Sequence, residues 1–176
     1  MSTPAPAQWS VPQLKIDRDG TWLNDGMEIT HAGILANLRG NFRQDADGYY
    51  VQAGPVRVPV EVEDTPFTVV RVERDGEGLR LTVNDGSQEL LDPVTLRLAP
   101  GEVPYCRVKA GQFEARLTRA AAWQFAQFLQ YDEASNSAVL VLAGARYPLA
   151  PAHASATSSR GDASTGASRE APTPSV

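Results

Sequence analysis

Val56, Val58, Val60 and Val62 alternate with Arg57, Pro59, Glu61 and Glu63. A period of two with one apolar face predicts a half-buried strand, and Pro59 marks it as an edge strand or a bulge. Similar β-branched and aromatic runs predict strands over residues 13–16, 21–23, 27–29, 49–53, 56–63, 67–73, 78–83, 94–98, 105–109, 112–117, 138–142 and 146–149. Asp-Gly pairs at Asp19-Gly20, Asp25-Gly26, Asp47-Gly48, Asp75-Gly76 and Asp85-Gly86 fall among these runs, and Asp-Gly tolerates the positive φ that tight hairpins need. Two stretches break the β pattern. Over residues 30–42, Ile34, Leu35, Leu38 and Phe42 share a helical face, with Thr30 placed as N-cap. Over residues 118–131, Ala122, Phe125, Ala126 and Leu129 repeat at three and four behind Thr118 as N-cap, and Trp123, Phe128 and Tyr131 widen the apolar face, which predicts a helix packed on two sides.

The pattern also repeats. The strand, Ala-Gly turn and strand around Ala53-Gly54 recur in type around Ala110-Gly111, and Asn24-Asp25-Gly26 returns as Asn84-Asp85-Gly86. A duplicated unit buries its faces against its copy and leaves a cleft between them. The expected fold class is α+β: two related small units, mostly antiparallel β with one helix each. The boundaries are an extended arm (residues 1–13) whose Trp9 docks on the body, a first unit (14–65), a second unit (66–149) and a disordered tail (150–176) of Ala, Ser, Thr, Pro and Gly.

Composition narrows the function more than it names one. A chain of 176 residues buries roughly 68–70% of the surface its unfolded form exposes, enough for a core without staples. One cysteine, Cys106, leaves no disulfide framework or multi-cysteine zinc site, as suits a reducing compartment. With neither a charged-then-apolar N-terminal segment nor a run of membrane-spanning length, a cytoplasmic protein without membrane association is expected. A net charge of -5 argues against nucleic acid as a partner.

Candidate chemistry is sparse. Asp17-Arg18-Asp19-Gly20 and Asp45-Ala46-Asp47-Gly48 look like the opening of a calcium loop, with Glu28 at the twelfth position after Asp17, but the intervening hairpin residues favour turn chemistry. Cys106 sits in an apolar strand as a small buried thiol. His153 is in the tail, with the tripeptide Arg160-Gly161-Asp162, read as chance in a polar segment, so His31 is the one ordered candidate base. No phosphate-binding glycine loop occurs. The stretch Val60-Glu61-Val62-Glu63-Asp64-Thr65-Pro66-Phe67 joins the halves, and Pro66 fixes its corner. Two readings stand: a rigid joint with solvated acids, or Glu63 and Asp64 facing a cleft opposite Arg71, Arg107 or Arg116, with Phe67 buried beside them.

Leu14-x-Ile16 with Asp19-Gly20-x-Trp22, Glu28-Ile29 before a helix, Asp47-Gly48-x-Tyr50, and Val60-x-Val62-Glu63-Asp64-x-Pro66-Phe67 together resemble the bacterial domain-of-unknown-function family twelve eighty-five. The resemblance spans residues 14–149. It implies two duplicated units, the second like a pleckstrin-homology barrel, with a nucleotide-like ligand bound between them in signalling. The chain departs from the family's pattern at His31, where an arginine is expected, and at Ala53-Gly54-Pro55-Val56-Arg57. The residues expected to meet a ligand at the interface are Arg57, Glu63, Asp64, Phe67, Arg107 and Arg116. No cofactor, metal or catalytic residue is expected, and the leading expectation is a non-enzymatic ligand sensor or adaptor. The alternatives are a partner-binding module that uses the strand over residues 56–62 as an edge, or a small hydrolase built on the interface acids.

Overall fold

The computed structural model describes residues 12–134 and 136–149. Most of the expected N-terminal arm with Trp9, and the expected tail with His153 and Arg160-Gly161-Asp162, lie outside the described residues.

Turn chemistry sets the first meander: Leu14–Ile16 (β1), Trp22–Asn24 (β2) and Met27–Glu28 (β3). Asp17 Oδ1 accepts the N–H groups of Asp19 at 2.9 Å and Thr21 at 2.8 Å, so this carboxylate organises the β1–β2 turn. The helix Ala32–Gly40 (α1) follows. Its cap is His31, whose Nδ1 accepts the Ile34 N–H at 3.3 Å, and the expected cap Thr30 stands one residue outside. No residue of α1 is fully buried; Leu35 and Leu38 fasten it to the core from partly buried positions. A second meander, Phe42–Asp45 (β4), Gly48–Ala53 (β5) and Val56–Val62 (β6), completes a six-stranded sheet ordered β3-β2-β1-β6-β5-β4. β6 is therefore an inner strand. It pairs with β5 and, from Val60 to Val62, runs parallel to β1, which removes it as a docking edge. Pro59 stands just before the stretch that pairs with β1.

The second sheet repeats this path. Phe67–Asp75 (β7), Gly78–Val83 (β8) and Gln88–Leu90 (β9) form a meander. A 3-10 turn at Pro93–Thr95 leads into Arg97–Ala99 (β10), Val103–Val108 (β11) and Phe113–Leu117 (β12). The order β10-β11-β12-β7-β8-β9 is that of the first sheet read from the other side, and again the last strand returns parallel to the first. The Asn-Asp-Gly echoes fall in the equivalent β2–β3 and β8–β9 connections, and the Ala-Gly echoes in the equivalent β5–β6 and β11–β12 connections. The fold is α+β with two related units.

Five details differ from the sequence reading. The second sheet does not close: β9 and β10 are its edges, and no closed barrel occurs among the described residues. The helices are not counterparts, since α1 occupies the β3–β4 connection whereas Arg119–Ala126 (α2) follows β12. The counterpart of α1 is the 3-10 turn, where a strand was expected; Asp92 accepts the Val94 N–H and Pro93 fixes the first turn. Finally, α2 is shorter than expected. Thr118 caps it as anticipated, accepting the Ala121 N–H at 3.3 Å. It ends where Gln127 and Phe128 bond back to Gln124 and Phe125 in a tightened last turn. Leu129–Asp132 (β13) then enters a three-stranded sheet with Ser137–Leu142 (β14) and Ala145–Pro148 (β15). Ala121 and Phe125 are buried, while Trp123 and Tyr131 are 70% and 65% exposed, so α2 packs on one side.

The units meet on aromatic rings. Phe42 of β4 lies 6.1 Å from Phe67 and 5.4 Å from Phe113, centroid to centroid, with Trp22 behind it at 5.5 Å. Such contacts contribute about 0.5–1.5 kcal/mol each beyond area burial. Polar ties flank them: buried Thr65 donates to the Phe67 carbonyl (2.8 Å) and accepts the Arg116 N–H (3.1 Å). Asn84 Nδ2 donates to the Gly20 carbonyl at 3.3 Å.

Candidate functional site

Because α1 is fastened only by its partly buried leucines, a cleft of about 680 Å³ opens between it and the second unit, within the range of small-molecule sites. Phe42, Phe67 and Phe113 line its floor. Arg39 and Arg43 approach from the first unit; Asp85, Lys109 and Gln112 approach from the second. Three cationic side chains against one carboxylate make this an electropositive recess in a protein of net charge -5.

Lys109 is held by a strained turn. Lys109, Ala110 and Gly111 take φ of 57°, 54° and 78° in succession, and each left-handed residue other than glycine costs roughly 1–2 kcal/mol. The surroundings enforce this conformation. The Lys109 N–H donates to both carboxylate oxygens of Glu89 at 2.8 and 3.0 Å. Its Nζ donates to Asp85 Oδ2 at 2.6 Å and to the Ser87 hydroxyl, and sits 5.3 Å from the Phe67 ring centroid. Burial pushes the Asp85 carboxyl up, but hydrogen bonds from Lys109 and Ser87 outweigh it and hold the group below its ordinary value. On the facing wall, Arg39 Nε is buried without a hydrogen-bond partner. Arg43 donates to the carbonyls of Gly40 (3.0 Å) and Phe42 (2.7 Å).

The six residues expected at the interface do not form one site. Phe67, 4% exposed, lies in the cleft floor. Asp64 faces the second unit, accepting the Tyr105 hydroxyl at 3.1 and 3.0 Å and meeting Arg116 at 3.7 Å. Glu63 instead turns to its own unit, pairing with Lys15 at 2.7 Å and accepting the Arg18 N–H at 3.2 Å. The Lys15 hydrogen bond lowers its carboxyl below the ordinary value. Arg107 donates to the Gly111 carbonyl at 2.9 Å, away from both acids, and Arg71 pairs with Glu73. Arg57 pairs with Asp45 and stacks 3.8 Å from the Tyr50 centroid. Asp45 lines a shallower recess of about 410 Å³ that shares Arg43, Gln112 and Phe113 with the main cleft, so Arg57 is one ion pair removed from it. Arg39, Arg43, Asp85 and Lys109 escaped the sequence reading. The echoes Asn84-Asp85-Gly86 and Ala110-Gly111 point at their turns, but pattern alone does not show that two turns from different hairpins converge.

Cys106 and His31 have structural places. Burial, with the nearby charges of Glu89 and Glu114, pushes the Cys106 thiol up to about 12, and His31 Nδ1 is occupied as the α1 cap. Among the described residues, no cluster of His, Cys, Asp and Glu could hold a metal ion, and no helix is long and apolar enough to cross a membrane.

Fold and cleft define a duplicated α+β protein with a cationic, aromatic-floored seam. The chain belongs to the family described as "Protein of unknown function (DUF2946)", whose model, DUF2944, matches residues 4–160. Among solved structures, it is similar to a DUF1285 family protein from Silicibacter pomeroyi DSS-3, with 26% identity, a TM-score of 0.66, and coverage of 85% of this chain and 88% of that one. A second DUF1285 family protein, from Shewanella baltica OS155, shares the fold at 22% identity and a TM-score of 0.57, covering 66% of this chain and 92% of the other. No curated protein matches the chain.

Proposed function

We propose that the cleft between α1 and the β8–β9 and β11–β12 turns receives a small anionic ligand with a planar ring, of nucleotide-like chemistry, and that the protein works as a non-enzymatic sensor or adaptor in signalling. A reducing compartment such as the cytoplasm suits its one buried, unpaired cysteine. The observation that carries the reading is the convergence of Arg39, Arg43 and Lys109 above Phe42, Phe67 and Phe113. Cations there attract phosphate, and the partner-free Arg39 Nε offers a donor that a ligand oxygen satisfies. The Cys106 thiol, pushed up to about 12, does not serve as a nucleophile near neutrality.

The test is a thermal-shift and calorimetric screen with nucleoside mono- and diphosphates. A ligand at a hundred times its Kd stabilises by about 2.7 kcal/mol. Lys109→Ala and Arg39→Ala should each abolish that stabilisation while remaining folded. If no nucleotide stabilises the protein, or both variants respond like the parent, the reading is wrong.

A further inference from the structure

We infer that a smaller cavity, lined from both units, is a binding site for a tetrahedral oxyanion of phosphate size. It measures about 130 Å³ and is lined by Arg18 and Asp19 of the β1–β2 turn, Thr68 of β7, Arg116 of β12, Thr118, and Arg119 of α2. Three arginines and one aspartate thus line a space that excludes a nucleoside and admits a phosphoryl group. Both units contribute a wall.

Two buried side-chain atoms of residues lining this cavity lack hydrogen-bond partners. Thr68 is 2% exposed, and its hydroxyl has no hydrogen-bond partner. Arg116 Nε is likewise buried and unpartnered, although its Nη1 lies 3.7 Å from Asp64. Buried donors in folded proteins are nearly always satisfied, and here both unpartnered donors belong to residues that line the same small space. The first turn of α2 adds backbone N–H groups that no intrahelical carbonyl can accept, and the positive end of its dipole favours an anion. The Thr118 hydroxyl accepts the Ala121 N–H and keeps its own O–H to donate, so it joins Arg119, Arg18, Arg116 and Thr68 as a donor for an oxyanion. An anion bound there ties the β1–β2 turn of one unit to β7, β12 and α2 of the other.

The test is isothermal titration of the full chain with inorganic phosphate and, separately, glycerol 3-phosphate, against sodium chloride at matched ionic strength. Saturable binding of phosphate is expected. Arg119→Ala, at an exposed position, and the near-isosteric Thr68→Val should each weaken it about tenfold or more, the loss expected for a hydrogen bond to a charged group. Tighter binding of glycerol 3-phosphate assigns the site to a phosphomonoester; tighter binding of inorganic phosphate assigns it to the free ion. The same titrations in Lys109→Ala, which disables the larger cleft, separate the two sites: binding that survives there belongs to the smaller cavity, and binding lost there belongs to the larger cleft and overturns the assignment. Absence of saturable binding of either anion, or undiminished binding by both Arg119→Ala and Thr68→Val, would overturn the assignment.

Discussion

Gly20→Ala should destabilise the protein far more than Gly26→Ala, although the two backbones are nearly alike. Both glycines take a left-handed φ, 84° and 81°, so a Cβ costs about 1–2 kcal/mol at either position from backbone sterics alone. At Gly26 the new methyl meets nothing within 4 Å. At Gly20 it comes to 2.6 Å from Asn84 Nδ2 and 3.2 Å from Thr68 Cγ2 and Oγ1, across the seam. Asn84 is not free to swing aside, because it donates to the Gly20 carbonyl at 3.3 Å and accepts the Thr68 N–H at 3.4 Å. Forcing it away adds overpacking strain of about 1–3 kcal/mol. The expected losses are therefore about 2–5 kcal/mol for Gly20→Ala and about 1–2 kcal/mol for Gly26→Ala. Urea denaturation followed by circular dichroism, read at an unchanged m-value, measures both. Adding Asn84→Ala to Gly20→Ala should recover part of the clash, giving a coupling of about 1 kcal/mol or more in a double-mutant cycle. Equal losses at the two glycines, with no coupling to Asn84, would show that the β1–β2 turn does not bear on the second unit.

Phe67→Ala removes the ring shared by the seam and the cleft floor, and should cost about 3–5 kcal/mol in the same assay; a loss below about 1 kcal/mol would mean the aromatic cluster is not a core. The Asp85–Lys109 pair predicts a pH dependence. The folded carboxyl lies below its ordinary value of 3.8, so its contribution is complete above that value and is lost as pH falls through the lowered one. The stability gap between the parent and Asp85→Asn should accordingly be widest near neutrality and narrow from about pH 4 downward; a gap that persists unchanged in acid would contradict the pairing.

Much of the β framework was legible because glycine, aspartate and β-branched residues act locally. Asp-Gly fixes a hairpin wherever it falls, and the valine alternation of β6 needs no partner to be read. The failures share a physical cause, a non-local contact overriding a local preference. Leu129 and Tyr131 continue the helical period of α2, yet pairing with Leu140 and Ala138 of β14 draws them into a strand. Phe42 reads as the last apolar residue of α1, but it opens β4 opposite Val51. At the seam, Pro66 made the corner readable, and with it the burial of Phe67 and the meeting of Asp64 with Arg116. Lys109 and Asp85 were not readable, because their approach depends on strand order, which no hairpin signal encodes.

Each sheet joins its own first and last strands in a parallel pair at its centre, β1 with β6 and β7 with β12. For a nascent chain, this imposes a schedule. The first sheet can assemble once Val62 has left the ribosome, but the ring that caps Phe42, Phe113 of β12, follows roughly fifty residues later, a delay of about 3–10 s at typical rates of synthesis. During that interval, the face of the first unit destined for the seam is an apolar surface open to solvent. The duplicated architecture therefore carries its aggregation hazard in time as well as in space, and the half-made protein is the form most in need of a chaperone.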